Sequence, residues 1–151
     1  GLKEDDQIST INATDLGGMA KSKNITSSNR IAVILAEGEI VDGNADGVIS
    51  SEKFAKEIRK ARKDENIKAI VLRVNSPGGS ILASEVIWRE MSEAKKVKPV
   101  IVSMGEVAAS GGYYIAAPAD TIVAQPNTIT GSIGIFGILF LILILQSLSK
   151  S

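Results

Sequence analysis

Between Arg30 and Ala124 the apolar residues fall in blocks of two kinds, short continuous runs and longer stretches at helical spacing. Arg30–Ala36 is a continuous β-branched and apolar run, which predicts a strand buried on both faces. Glu39–Val41 is expected to extend it after a bend at Gly38. From a cap at Ser50 or Ser51 to about Lys63, Phe54, Ile58 and Ala61 form one apolar stripe against Lys, Arg and Glu, the pattern of an amphipathic helix. Lys68–Val74 is the next buried strand. Gly79 or Ser80 opens a helix to about Ala94, in which Ala83, Ile87, Met91 and Ala94 share a face. Pro99–Met104 reads as a strand, Ser110–Ala117 as a short helix and Thr121–Ala124 as another strand. Strands alternating with helices of this length predict parallel βαβ units with right-handed crossovers. In such α/β sheets ligands bind outside the carboxyl ends of the strands.

The two ends depart from this pattern. Residues 1–29 are polar, rich in Ser, Thr, Asn, Lys and Asp, and read as a linker or the tail of a preceding domain. They hold no charged segment followed by an apolar one, so no signal peptide is visible. With Gly1 at the start, a fragment or a processed product is expected. Every residue from Ile133 to Leu145 is apolar or glycine, and these thirteen residues fall short of the roughly 20 that span a bilayer as a helix. A buried strand followed by an aberrant apolar tail over residues 138–151 is the preferred reading. A membrane-associated or re-entrant end and a core helix are the alternatives. The domain is therefore expected over residues 30–137, and incomplete.

Composition changes the picture mainly by exclusion. At 151 residues the chain is long enough for one real core, and 44% hydrophobic with 23% charged residues is globular. Seventeen basic residues balance seventeen acidic ones, so no net field points to nucleic acid or an anionic membrane surface. An aromatic content of 4% weakens base stacking as well. There is no cysteine, hence no disulfide and no thiolate metal site, and there is no histidine.

Candidate chemistry sits in two glycine-rich turns, Val74–Ile81 and Ala108–Ala117, each where a strand is expected to become a helix. Backbone free of Cβ atoms lets a substrate approach closely and lets N–H groups face a developing negative charge. Ser110, at the second turn, is placed as a nucleophile. The N–H groups of Gly79 and Gly111, one from each turn, are the candidate oxyanion hole, and Pro77 stiffens the approach to them. Without histidine a Ser-His-Asp triad cannot form from this chain. The base is then a lysine or an amine, or lies on another segment.

Ala69–Ser80, Val102–Ala116 and Thr130–Gly137 together resemble the signal peptide peptidase A (protease IV) family, in order and spacing, from about Arg30 to Gly137. The resemblance implies a Clp-protease/crotonase superfold and a serine endopeptidase of the Ser-Lys dyad type. It makes Ser110 the nucleophile and Gly79 and Gly111 the oxyanion hole, with Ser132 orienting the base lysine. It implies cleaved signal peptides as substrates, homo-oligomers and a site on the extracytoplasmic side of the bacterial inner membrane. A peptide is expected to lie as an added strand beside Gly78, Ser80 and Ile81. No cofactor is implied.

No lysine in the chain suits the dyad, because a base lysine must be desolvated to be neutral near pH 7. Lys53, Lys56, Lys60 and Lys63 lie on a charged helix. Lys68 and Lys98 precede strands at the edge away from Ser110, Lys95 and Lys96 end a helix, and Lys150 is in the tail. In long family members the lysine comes from a separate N-terminal domain, and in short ones from a later segment. The polar lead-in Gly1–Asp6 is similar to the inter-domain stretch of the long type, so a neighbouring domain is the expected donor and the isolated chain is expected to be inactive.

Other readings compete. The chief rival is a catalytically inactive scaffold or assembly module of the same fold. Asp42–Lys53 matches part of a calcium-loop spacing, but Lys53 stands where the bidentate glutamate belongs. A crotonase-type acyl-CoA enzyme would not need Ser110. Tyr113 and Tyr114 suit either a substrate groove or packing, and Trp88 suits core or interface.

Overall fold

A computed structural model describes residues 29–135 of the chain. In chain order its elements are β1 (Arg30–Glu37), β2 (Ile40–Val41), β3 (Ile49–Ser50), α1 (Ser51–Lys63), β4 (Ile67–Ser76), α2 (Ile81–Lys95), β5 (Val100–Ala109), α3 (Gly111–Ala116), β6 (Thr121–Val123) and β7 (Ile129–Gly131). The main sheet is parallel throughout, in the order β1-β4-β5-β6, with β7 also on β5. Strands joined through helices in this way make the expected α/β fold of the Clp-protease/crotonase type.

Strand alternation explains which residues fill the core. Ala32, Ile34 and Ala36 of β1, Ile70, Leu72 and Val74 of β4, and Val100, Val102 and Met104 of β5 are buried on one face. Against them pack Phe54, Ile58 and Ala61 of α1 and Ala83, Ile87, Met91 and Ala94 of α2, the two stripes read from helical spacing. Burying each large aliphatic contributes about 1.5–3 kcal/mol. Glu90, nearly buried on α2, ties the helices together by pairing with Arg59 and, at 3.5 Å, with Arg62 of α1.

Several sequence expectations need correction. Ile40–Val41 does not extend β1: Gly38, at φ +96°, turns the chain away, and β2 pairs with β3 in a separate two-stranded sheet. Ser50 does stand at the N-cap of α1 but makes no side-chain cap bond. Instead the Ser51 hydroxyl accepts the Gly43 N–H at 3.1 Å, and the Gly43 carbonyl accepts the Glu52 N–H at 3.0 Å. β5 runs well past Met104, to Ala109. It does so through an irregularity, because Val74 pairs with Met104 whereas Ser76 pairs with Ala108. The Asn75 side chain fills that gap, its Oδ1 accepting the Val107 N–H at 3.1 Å. Neither β3 nor β7 was expected, since two- and three-residue strands carry too little pattern to read.

Asp42–Lys53 is a strap. Asp42 accepts the Ser80 hydroxyl at 2.6 Å, and the Lys53 ammonium pairs with Asp46. A strand leads into it, where an EF-hand needs a helix. Of the apolar run from Ile133, only the first residues are described: Ser132–Ile135 form no strand, and Ile133 and Ile135 are 80% and 72% exposed. The expectations for residues 1–28 and 136–151 lie outside the described residues. No described helix is long and apolar enough to cross a membrane.

Candidate active site

Two of the predicted site residues are the only non-glycine residues described with positive φ. They are Ser110, at φ +52° and ψ −119°, and Ser132, at φ +49°. Such a conformation costs a residue with a Cβ about 1–3 kcal/mol and persists only where its surroundings impose it. At Ser110 the surroundings are explicit. Its N–H donates to the Gly131 carbonyl at 2.9 Å, and its carbonyl accepts the Tyr114 N–H at 2.9 Å from the first turn of α3. The turn therefore lifts the side chain away from both β5 and the helix. The Ser110 hydroxyl caps nothing and is half-buried at the carboxyl end of the sheet. Ser132 follows Gly131 directly, so the strand that holds Ser110 also delivers Ser132 to the same edge.

The first glycine turn packs onto this elbow. A Cβ on Gly78 would stand 2.7 Å from the Gly111 nitrogen and 2.9 Å from the Ser110 Cβ, too close for any side chain. Close approach of the two turns thus requires glycine at 78. On the far side, Ile40 bridges to Gly79 as a short parallel strand. Its N–H donates to the Gly78 carbonyl at 2.9 Å, and its carbonyl accepts the Ser80 N–H at 2.8 Å. Strand geometry then turns the N–H and carbonyl of Gly79 to the opposite side, and neither bonds to another described residue. The Gly111 N–H is one of the orphan donors at the start of α3. Both candidate oxyanion donors are accordingly uncommitted.

Ser80 is occupied. Its hydroxyl caps α2 by accepting the Ala83 N–H at 3.2 Å while donating to Asp42. A peptide cannot pair with Gly78 and Ser80 on the edge that Ile40 already fills, so the expected added strand is confined to the Gly79 side. Ile81 is 47% exposed beside it. Tyr114 leans on Trp88, ring centroids 6.0 Å apart, and donates its hydroxyl to Glu85 at 2.6 Å. That hydrogen bond raises the Tyr114 pKa above its ordinary value, burial adding to it. Tyr113 packs on the core.

No described lysine reaches Ser110 as a base. Lys98 has its pKa lowered by burial, as a dyad lysine would, but its ammonium donates to the carbonyls of Ala61 at 2.7 Å and Asp64 at 2.6 Å at the end of α1. It precedes β5 while Ser110 follows it, and ten strand residues separate them by roughly 30 Å. Lys53 lies on the site's side of the sheet but pairs outward with the exposed Asp46. Among the described residues no cluster of His, Cys, Asp or Glu is arranged to hold a metal.

Sequence reasoning missed Ile40, Asp42, Asn75, Thr130 and Gly131. All five hold the site through backbone or hydroxyl hydrogen bonds rather than chemistry. Thr130 donates to the Ala108 carbonyl at 2.7 Å and so fixes β7 beside Ser110. Asn75, Thr130 and Gly131 fall within the motifs that carry the family resemblance and Asp42 within the calcium-loop stretch, but none of their hydrogen bonds is legible there, and Ile40 reads as part of β1.

Residues 92–145, which contain Ser110 and Ser132, match the model of peptidase family S49. The chain is 59% identical over 111 residues to "Protease 4" of Salmonella typhi, a match covering 72% of this chain and 18% of that protein. It is 40% identical over 142 residues to the chloroplastic serine protease SPPA of Arabidopsis thaliana, covering 89% of this chain and 21% of that one. The chain thus spans about a fifth of the length of these relatives. Among solved structures, it resembles a mutant of the 1510-N membrane-bound stomatin-specific protease in complex with a substrate peptide. That match has a TM-score of 0.55 and 28% identity, over 70% of this chain and 45% of that one. ClpP1 from Listeria monocytogenes superposes with a TM-score of 0.51 at 26% identity, over 65% of this chain and 52% of that one.

Proposed function

This chain belongs to peptidase family S49, and we propose that it carries the nucleophile and oxyanion hole of a serine endopeptidase whose base lysine comes from a segment outside residues 29–135. The observation that carries this reading is the strained elbow at Ser110, whose hydroxyl is uncommitted and whose neighbours Gly79 and Gly111 hold uncommitted N–H groups. Backbone strain of this kind clusters at active sites, which supports the reading.

In the proposed reaction the Ser110 hydroxyl oxygen attacks the scissile carbonyl carbon and its proton passes to the neutral lysine. The negative charge moves to the carbonyl oxygen, where the Gly79 and Gly111 N–H groups stabilise it. Donors fixed in advance need no reorganisation, and one such donor is worth about 2.7–4 kcal/mol of barrier. Collapse breaks the C–N bond, the lysine returns the proton to the leaving amine, and water then hydrolyses the acyl-enzyme. Ser132 orients the lysine ammonium through its hydroxyl. The substrate is a peptide, lying along the Gly79 side of the loop near Gly78 and Ile81, with cleaved signal peptides as the class. A homo-oligomer at the extracytoplasmic face of a bacterial inner membrane, with a neighbouring domain as lysine donor, completes the proposal.

The test is labelling with a fluorophosphonate probe, read by intact mass, for the chain alone, the chain joined to the flanking segments of its parent, and Ser110→Ala. Labelling that appears with the flanking segments and disappears with Ser110→Ala supports the divided site. An adduct on the chain alone would mean that a base is already present. No adduct in any form would favour a catalytically silent scaffold.

A further inference from the structure

Opposite a single residue of β4 stands a stretch of three on β5. Val74 pairs with Met104 and Ser76 with Ala108, so Asn75 faces Gly105–Val107. The excess of two residues keeps Ala108 on the core side, where Met104 also lies, and leaves Glu106 exposed. Drawn into a regular ladder, β5 would instead bring Glu106 opposite the fully buried Ser76 and carry Ser110 roughly 7 Å further along the strand. The close approach of Gly78 to Ser110 and Gly111 therefore depends on the bulged register. Bulges recur beside active sites, where they re-aim a side chain.

A bulge takes backbone groups out of the ladder, and here side chains meet them. The Arg73 guanidinium donates through Nη1 to the Met104 carbonyl at 2.7 Å and to the Ser103 hydroxyl oxygen at 2.8 Å. Thr128 donates its hydroxyl to the Gly105 carbonyl at 2.8 Å while accepting the Gln125 N–H at 3.0 Å. Asn75 accepts the Val107 N–H at 3.1 Å through Oδ1. It also packs tightly on Gly105, where a Cβ would stand 3.0 Å from the Asn75 Cβ. Arg73 and Asn75, two residues apart on β4, share the face of the sheet turned away from the helices. The backbone groups they bond account for polar side chains on that face.

We infer that Arg73, Asn75 and Thr128 are positioning residues for Ser110: by closing the bulge they fix how far β5 runs before the elbow. They act through backbone three to six residues ahead of the nucleophile. The inference rests on the reading of Ser110 as that nucleophile.

Asn75→Ala removes one closure, and Asn75→Asp keeps an acceptor at the same place. In the full chain, the Ser110 amide should exchange about fivefold faster in Asn75→Ala, while Val102, in the β6-paired part of β5, stays as in the parent. In the chain joined to the flanking segments of its parent, peptide cleavage by Asn75→Ala should lose kcat on the order of 10–100-fold. KM should stay within about twofold, because the binding loop around Gly79 is held by Ile40 instead. Asn75→Asp should restore both readouts. Should Asn75→Ala not fold, Thr128→Val takes its place, with Thr128→Ser as the restoring variant. An unchanged Ser110 exchange rate, a rise in KM at constant kcat, or an Asn75→Asp no better than Asn75→Ala would each overturn the inference. Ser110-dependent cleavage indifferent to Asn75 overturns the inference alone. Cleavage that survives Ser110→Ala overturns the nucleophile reading and the inference with it.

Discussion

The N–H of Ser110 donates to the carbonyl oxygen of Gly131 at 2.9 Å, joining the end of β5 to the end of β7. One hydrogen bond thereby sets both the elbow that carries Ser110 and the position from which Ser132 departs. The strain at the two serines is held by the same short ladder.

Glycine at position 110 is expected to stabilise the fold. Relief of the positive-φ strain, about 1–3 kcal/mol, outweighs the roughly 0.5–1 kcal/mol of extra chain entropy that glycine loses on folding. Ser110→Gly should therefore raise the unfolding free energy by about 1 kcal/mol in urea titrations, while Ser110→Ala, which keeps a Cβ, should not. Equal stabilities of the two variants would mean that the elbow is unstrained.

At Gly79 the opposite holds. A Cβ there would stand 2.1 Å from the Ile40 carbonyl oxygen at φ +150°, so Gly79→Ala must push the β2 bridge away. A loss of at least about 2 kcal/mol is expected, combining backbone strain with broken hydrogen bonds. Gly43→Ala is the comparison, with φ +83° but nothing within 4 Å, and should lose only the strain. Amide exchange of Ser80, whose N–H pairs with Ile40, should quicken in the first variant alone.

Thr130→Val keeps the shape of the side chain and removes its hydrogen bond to Ala108. The expected cost is about 1 kcal/mol. Because β7 then holds less firmly, the Ser110 amide should exchange faster while Val102, in the β6-paired part of β5, is unchanged. Uniform acceleration would indicate global destabilisation instead.

Asp64 links acid stability to the end of α1. Its carboxyl accepts the Asn66 N–H at 2.9 Å and pairs with Arg30 at 3.3 Å, and the backbone hydrogen bond is the larger cause holding its pKa below the ordinary value. The folded state thus binds this proton less readily than the unfolded state. Its contribution is complete above the unfolded value of about 3.9 and is lost as the pH falls through the lower folded value. Asp64→Asn should flatten the acid limb of the urea-midpoint profile below pH about 5 and leave the neutral region parallel to wild type.

Much of this was legible because it rests on period. The stripes Phe54-Ile58-Ala61 and Ala83-Ile87-Met91-Ala94 recur at helical spacing, and both are buried on the sheet. The glycine turns were readable because Gly78 and Gly79 occupy places that no Cβ fits. The bridge from Ile40 to Gly79 was not readable, since long-range pairing of a two-residue strand leaves no local pattern. Nor was the run of β5 beyond Met104, where Asn75 supplies a side-chain oxygen in place of a strand partner. The proposed oxyanion donors belong to the backbone, where only the glycines around them offer a sequence signal.

β6 and β7 occupy one edge of β5 in succession, the first along Ile101–Ser103 and the second along Val107–Ala109. The first ladder supports the core strand, and the second holds the elbow of Ser110. Support of the core and placement of the proposed nucleophile are consequently carried by separate rungs of one edge.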